Sequence, residues 1–319
     1  MSSYITDSYG VTTIDTKYLN RKEYAASYII QSEGEAAIIE TNTNFAIPNI
    51  LRAVEGIGLD LRGVKYVILT HVHLDHAGGA GKLMKLLPNA KLIVHPRGSR
   101  HMISPERLIE SVKSVYGEKK YREMYGDIVP VQEDKIINSY ENMVLNLGRK
   151  DLEILESPGH AKHHIIVFDK TEGTVFTGDS FGIGYPRFGF EKGFLIFPST
   201  SPVQFDPESA VNTYKKIVRL NPVNIYLTHF GSVEDIQRIE NELLEAIDLF
   251  LSEGNKLLKK GLKHSELSSS ILEKIWVYFD KKIFNFSGKH LTKEDRDYLF
   301  LDADLNSKGI AFFLEKQGN

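Results

Sequence analysis

His71, His73, Asp75 and His76 stand within six consecutive residues, His71-Val72-His73-Leu74-Asp75-His76, behind the apolar run Val64–Leu69. Three imidazoles and a carboxylate displayed at the open end of a strand can turn towards one point without distorting the sheet behind them. Their chemistry is that of a metal site, since neutral imidazole and carboxylate ligate zinc, iron or manganese. A metal held this way lowers the pKa of water towards neutrality and supplies a nucleophile. Three more candidates recur in the same setting: His160 after Ser157-Pro158-Gly159, Asp179 after Thr174–Gly178, and His229 after Val223–Thr228. His160 or His229 alone reads best as a capping or surface histidine. Their order behind the first cluster makes them candidate ligands.

The elements that would position these residues are short apolar or β-branched runs, read as buried strands: Tyr28–Ile30, Ala36–Ile39, Val64–Leu69, Lys91–Val94, Leu152–Leu155, Ile165–Phe168, Thr174–Phe176 and Val223–Leu227. Helical patterns lie between them. Asp206-Pro207 gives a cap residue followed by proline at the first helical position, with Val211, Tyr214 and Val218 on one face. A second helix is expected over 233–251, with Ile236, Ile239, Leu243, Ile247 and Phe250 in register. Residues 98–135 are charged and helix-like and fall where an insertion would overhang a site. The stretch Phe181–Phe205, rich in Gly, Pro and aromatics, reads as an ordered loop with little regular structure. Strands mixed with amphipathic helices place the chain in the α+β class. The expected organisation is a catalytic domain over 1–252 and a helical extension over 253–319, docked on the core or at a homodimer interface. Thr292-Lys293-Glu294-Asp295 is the expected start of one of its helices.

Composition narrows the chemistry. The chain has 319 residues, 42% of them hydrophobic, enough for a substantial core. With no cysteine, disulfides, thiolate ligands and cysteine nucleophiles drop out, so imidazole, carboxylate and water must hold any metal. A net charge of −3 creates no field that would attract a polyanion or an anionic membrane, so the expected partner is a small-molecule substrate rather than nucleic acid. Neither a basic, apolar leader nor a long apolar run is visible, and the expected location is the cytoplasm.

On these motifs the sequence resembles the metallo-β-lactamase superfamily, in its glyoxalase-II-like hydrolase branch. The resemblance runs from Ala26-Ser27-Tyr28-Ile29-Ile30 and Ile38-Ile39-Glu40-Thr41, through the histidine cluster, to Thr228-His229-Phe230-Gly231. It implies an αββα sandwich with the site at one edge. It also implies two divalent ions, zinc first with iron or manganese compatible: His71, His73 and His160 on one, Asp75, His76 and His229 on the other, and Asp179 bridging. Two such ions about 3.5–4 Å apart share a water and yield a metal-bridging hydroxide that attacks an acyl carbonyl. Asp75 is a ligand first and a proton carrier to the leaving group second.

The expected activity is hydrolysis of a thioester or lactone. Where glyoxalase II contacts glutathione with lysine and tyrosine, this chain has Phe188 and Phe190, and where lactonases carry a tyrosine it has Gly182. The alternative is an oxidoreductase resembling persulfide dioxygenases, with one iron on His71, His160 and Asp179. Other features have plainer readings. Gly78-Gly79-Ala80-Gly81-Lys82 lacks phosphate-loop spacing and reads as a tight helix entry. His163 and His164 are expected to support the ligands, His95 and His101 to sit in loops, and His264 and His290 to be solvated. Phe181, Tyr185, Phe188, Phe190, Phe194 and Phe197 read equally as packing or as an apolar substrate wall, with Arg187 a candidate partner for a substrate anion.

Overall fold

The computed structural model describes residues 4–317. Its first sheet has seven strands in chain order: β1 (Tyr4–Thr6), β2 (Val11–Asp15), β3 (Ala26–Ser32), β4 (Glu35–Ile39), β5 (Val64–Ile68), β6 (Lys91–Val94) and β7 (Ile136–Asn138). Pairing is antiparallel up to β4 and parallel from β4 to β7. Helices fill the connections: α1 (Ile47–Gly56), α2 (Leu74–Ala77), α3 (Ala80–Leu86), α4 (Pro96–Ile103), α5 (Glu106–Tyr116) and α6 (Glu118–Tyr125). The second sheet begins with β8 (Met143–Leu147), β9 (Lys150–Glu156), β10 (Ile165–Asp169) and β11 (Thr174–Gly178). A separate hairpin of β12 (Ile183–Phe190) and β13 (Gly193–Phe197) follows, then α7 (Pro207–Arg219). The chain returns to the second sheet with β14 (Asn224–Leu227), parallel to β11, and β15 (Gly231–Val233) at its edge. It ends in α8 (Ile236–Lys259), α9 (His264–Ser287) and α10 (Lys293–Gln317).

The central strands of the first sheet are continuous apolar runs because both of their faces are covered. Ala36 and Ile38 of β4 join Val67 of β5 and Leu92 of β6 under α1 and α3, where Ile50, Ala53 and Leu83 are buried. The alternate residues Ala37, Ile39, Ile68 and Ile93 face the other way, into a core shared with Leu145, Leu152, Ile154, Val167, Phe176 and Tyr226 of the second sheet. A helical layer and two face-to-face sheets therefore stack here. By contrast β8 alternates buried and exposed residues, the pattern of a strand with one wet face.

The described residues divide into two compact units. One holds both large sheets and α1–α6; the other holds residues 157–162, the β12–β13 hairpin and α7–α10. Within the second, α9 and α10 pack on each other and on α8, and α9 also meets the hairpin. Leu267, Ile271, Ile275 and Trp276 of α9 are buried there, whereas Phe284, Phe300 and Phe312 stay exposed. The expected boundary at 252/253 falls inside α8, which runs unbroken to Lys259.

Each of the eight strand runs read from the sequence matches a strand of the two sheets. Phe181–Phe205 differs: it is not irregular but carries the hairpin. Its Gly and Pro obscured the strand pattern, and they have a structural cause. A Cβ on Gly184 would lie 2.3 Å from the Phe194 ring across the ladder, so the glycine makes room for that ring. In α7 Asp206 caps the helix by accepting from Ser209 N–H at 2.7 Å, but the buried face is Ala210, Thr213, Tyr214 and Ile217, with Val211 and Val218 at its rim. The Thr292 start of α10 is a reciprocal cap: Thr292 Oγ1 accepts from Asp295 N–H at 3.1 Å, and Asp295 Oδ2 accepts from Thr292 N–H at 3.1 Å.

Candidate metal centre

Beyond β5 the chain passes Leu69 and Thr70 to His71, and one helical turn, α2, then carries Asp75 and His76. His73 precedes that turn in extended conformation, so its ring swings back to His71: His71 Nε2 and His73 Nδ1 lie 2.9 Å apart. His229 arrives from the second sheet, between β14 and β15. Its Nδ1 donates to the Tyr24 carbonyl at 2.9 Å, which turns Nε2 to within 3.5 Å of Asp75 Oδ2. Asp75 Oδ2 is also 3.9 Å from His76 Nε2. Asp75, His76 and His229 thus each offer one ligand atom, all within 4.8 Å of one another.

The same limit encloses a second group, Glu40, His71 and His76. Glu40 lies within a segment that carries the resemblance but had no role assigned from the sequence. It follows β4, is 0% exposed, and places Oε1 3.3 Å from His76 Nδ1 while accepting from the Thr70 hydroxyl. Its Oε2 is buried without a hydrogen-bond partner. A fully buried carboxylate oxygen among imidazole nitrogens is costly without a counter-charge, and a divalent cation is the group that suits that donor set. An acidic residue ending the apolar run Ala36–Ile39 was the available signal.

His160 and Asp179 belong to the second unit, where they lie together: His160 Nε2 is 3.6 Å from Asp179 Oδ2. His160 Nδ1 donates to the Ser199 carbonyl at 3.0 Å, fixing the ring as Tyr24 fixes His229, and the Ser199 hydroxyl donates to Asp179 Oδ2 at 3.3 Å. Gly159 makes this approach possible. At φ +137° it lies so close to α7 that a Cβ would meet Ala210 N at 2.6 Å.

His163 and His164 take the supporting places expected of them. His163 Nε2 accepts from Val72 N–H at 3.2 Å and so anchors the histidine loop, while the His164 ring stacks on His71 at 4.8 Å. Gly178, at φ +53°, clears space for this stack: a Cβ would lie 2.7 Å from His164 Nε2 and 2.4 Å from Thr70 Oγ1. The glycine run after His76 accommodates backbone. A Cβ on Gly79 would meet the Thr41 and Thr43 carbonyls at 2.9 Å, and one on Gly81 the Val129 carbonyl at 1.8 Å. The 126–131 segment returning from α6 therefore crosses directly over α3.

Other candidates have structural duties. His95 caps α4, its Nδ1 accepting from Arg97 N–H at 3.0 Å, and His101 lies within that helix rather than in a loop. The side chains of His264 and His290 are solvated. Arg187 is engaged by the first turn of α10, at 2.9 Å from Asp295 and 3.0 Å from Glu294, so it is not held in reserve for a substrate anion. Phe181, Tyr185, Phe188 and Phe197 are buried; Phe188 and Tyr185 pack on Tyr298 at 5.7 and 5.4 Å, and Phe197 on Phe279 at 4.6 Å. Their role in the second unit is packing.

Comparison with known proteins is consistent with this arrangement. The model of the Metallo-beta-lactamase superfamily matches residues 21–229. Metallo-beta-lactamase fold-containing protein ST1585 of Sulfurisphaera tokodaii is 27% identical over 70% of this chain and 79% of its own length. Hydroxyacylglutathione hydrolase GloC of Haemophilus influenzae is 31% identical over 66% of this chain and 86% of its own. Human acyl-coenzyme A thioesterase MBLAC2 is 26% identical over 35% of this chain and 39% of its own. The crystal structure of ST1585 superimposes with a TM-score of 0.65 and 21% identity, covering 94% of this chain and 97% of that one, and shows the same fold. Among the described residues no helix is long and apolar enough to cross a membrane.

Proposed function

Because the chain belongs to the metallo-beta-lactamase superfamily, we propose that it is a hydrolase of an ester-like bond, a thioester or a lactone, in a small-molecule substrate, working with two divalent metal ions. The observation that carries this reading is the convergence of Asp75, His76 and His229, with Glu40 and His71 behind them, at the ends of strands from both sheets. In this reading His71, His73 and His160 would hold one ion, Asp75, His76 and His229 the other, and Asp179 would be a ligand shared between them; the residues follow the order of the family pattern. Metal ions so held activate water near neutral pH and polarise an acyl oxygen, with zinc the expected ion and iron or manganese compatible.

The protein's own residues do the rest. The carbonyls of Tyr24 and Ser199 fix which nitrogen of His229 and His160 faces inward, and the Glu40 carboxylate, 3.3 Å from His76 Nδ1, lies on the side of that ring away from Asp75. The exposure of 27% of the Asp75 side chain supports a part for this carboxylate in carrying a proton between the site and solvent. The thioester preference is supported by the similarity to a hydroxyacylglutathione hydrolase and to an acyl-coenzyme A thioesterase. Glutathione itself is disfavoured, because Phe188 is packed inside its unit where a glutathione-contacting side chain would have to be free. The test is turnover of matched panels of thioesters, lactones, phosphodiesters, a β-lactam and glutathione persulfide by metal-quantified protein. Turnover confined to the persulfide, or to none of these, would overturn the reading.

A further inference from the structure

The peptide bond between Ser199 and Thr200 is held from both sides, by residues that all belong to the second unit. Its carbonyl, on Ser199, accepts from His160 Nδ1 at 3.0 Å, and its N–H, on Thr200, donates to the Asn306 side-chain oxygen at 2.6 Å. A peptide unit is planar and trans, so its C=O and N–H point in opposite directions and cannot turn independently. Whatever fixes the N–H therefore aims the carbonyl. Asn306 stands in the middle of α10, long after His160 in the chain, and both it and Thr200 are buried.

Where α10 meets this peptide, its sequence departs from an apolar helix face. A buried asparagine is costly unless its polar atoms are partnered. Asn306 finds that partner in Thr200, whose Oγ1 also lies 2.9 Å from the Asn306 main-chain carbonyl oxygen and 2.8 Å from its Oδ1. Three residues on, Gly309 leaves the helix bare: a Cβ there would lie 1.9 Å from the Thr200 carbonyl oxygen. Glycine is disfavoured inside a helix, and here its missing side chain lets the helix backbone seat against the loop. Phe197, just before the peptide, is buried 4.6 Å from the Phe279 ring of α9, and after it Asp206 N–H donates to the Gly159 carbonyl at 2.9 Å. The segment 197–206 is thus fixed at both ends, with the Ser199–Thr200 peptide between them.

We propose that Asn306 is a positioning residue that acts through the Ser199–Thr200 peptide to hold the His160 ring with its hydrogen on Nδ1 and Nε2 turned to Asp179. A carbonyl only accepts, so the Nδ1 facing Ser199 carries the hydrogen, and Nε2, 3.6 Å from Asp179 Oδ2, keeps its lone pair. Donation of the Thr200 N–H to Asn306 polarises the peptide and makes its carbonyl the stronger acceptor. The Ser199 hydroxyl, on the same residue, donates to Asp179 Oδ2 at 3.3 Å, so one anchor steadies both side chains. A helix that supplies no proposed ligand governs the setting of two of them.

The consequence for metal binding rests on the ligand assignment proposed above, and the test separates the two. Nitrogen NMR of full-length apoprotein with isotope-labelled histidine, at about pH 8 where an ordinary imidazole is neutral, reports the tautomer of each ring, and His160→Ala identifies the His160 signals. The parent shows His160 with its hydrogen on Nδ1, Asn306→Leu a mixture of the two tautomers, and Asn306→Asp, which keeps an acceptor oxygen at the same reach, the parent pattern. Zinc affinity, measured by chelator competition, falls about tenfold in Asn306→Leu and less than about threefold in Asn306→Asp. Tyr185→Phe is the control for stability alone: it removes the 3.0 Å hydrogen bond to Asp302 Oδ2, one turn before Asn306 on α10, and leaves both named partners of the peptide in place. An unaltered His160 tautomer in Asn306→Leu, or a change no greater than in Tyr185→Phe, overturns the proposal. Undiminished zinc affinity in His160→Ala counts against the ligand assignment alone, and the tautomer still decides whether Asn306 positions the ring. Should Asn306→Leu fail to fold, Asn306→Ser, whose hydroxyl ends one atom short of Oδ1, carries the same test.

Discussion

Glu40 Oε1 lies 3.3 Å from His76 Nδ1, and neither side chain has any exposure to solvent. A carboxylate in that position keeps the proton on Nδ1 and leaves Nε2 basic for a metal. Glu40→Ala is therefore expected to weaken metal affinity by about 10–100-fold. Glu40→Gln, which keeps an acceptor oxygen, loses less. Competition with a chromophoric chelator measures both, and equal affinity in all three proteins would remove Glu40 from the site.

Two metal ions per chain are expected after metal-replete expression. Asp179→Ala should retain the fold and lower hydrolysis by orders of magnitude, since the carboxylate proposed to serve both ions would be gone. Elemental analysis decides the first point: a single iron, with no second ion taken up when metal is added, would favour the dioxygenase-like alternative. Unchanged turnover in Asp179→Ala would show that Asp179 is not a ligand.

Phe188, 2% exposed against Tyr298, is assigned to packing. Its replacement by alanine should cost about 3–5 kcal/mol of stability and leave the ratio of long-chain to acetyl turnover unchanged. A shift in that ratio at full stability would restore the substrate-wall reading of the hairpin.

Gly81 has no room for a side chain, with the Val129 carbonyl 1.8 Å from the Cβ position. Gly81→Ala should destabilise the protein by roughly 1–3 kcal/mol. Denaturant midpoints measure the effect; an unchanged midpoint would show that the Val129 segment moves aside at no cost.

Burial holds the His95 imidazole below its ordinary value, with Glu156 opposing and Arg97 adding to the effect. A folded pKa below the unfolded one means that the stabilisation is complete above about pH 6.5 and is lost as pH falls through the folded value. His95→Asn keeps a cap on α4 but cannot titrate. The drop in thermal midpoint between neutral and mildly acidic buffer should be smaller in the variant. Identical drops would show that protonation of His95 does not destabilise the fold.

The sequence displayed what is local and hid what is not. The β4, β5 and β6 runs were legible because both faces are buried, and the histidine cluster because its four side chains are neighbours in the chain. Asp206 and Thr292 announced their helices for the same reason. Glu40 escaped because its partner His76 is a tertiary neighbour with no periodic signature. The β12–β13 hairpin was hidden by Gly184, Pro186 and Gly189, which interrupt the alternation that marks a strand. Val211 and Val218 misled because apolar periodicity reports a stripe without fixing which edge of it is buried.

The order of strands also sets an order of events. The first sheet is threaded in chain order, so β4 and β5, which bring Glu40 and His71 together, can pair soon after they leave the ribosome. His229 waits for β14, whose parallel partner β11 lies on the far side of the hairpin and α7, a loop closure that is slow for entropic reasons. Its ring then gains its orientation from Tyr24, near the opposite end of the chain. A nascent protein would acquire its histidine cluster early and the His229 side of the candidate metal centre last, so cation uptake should mark the completion of folding rather than seed it.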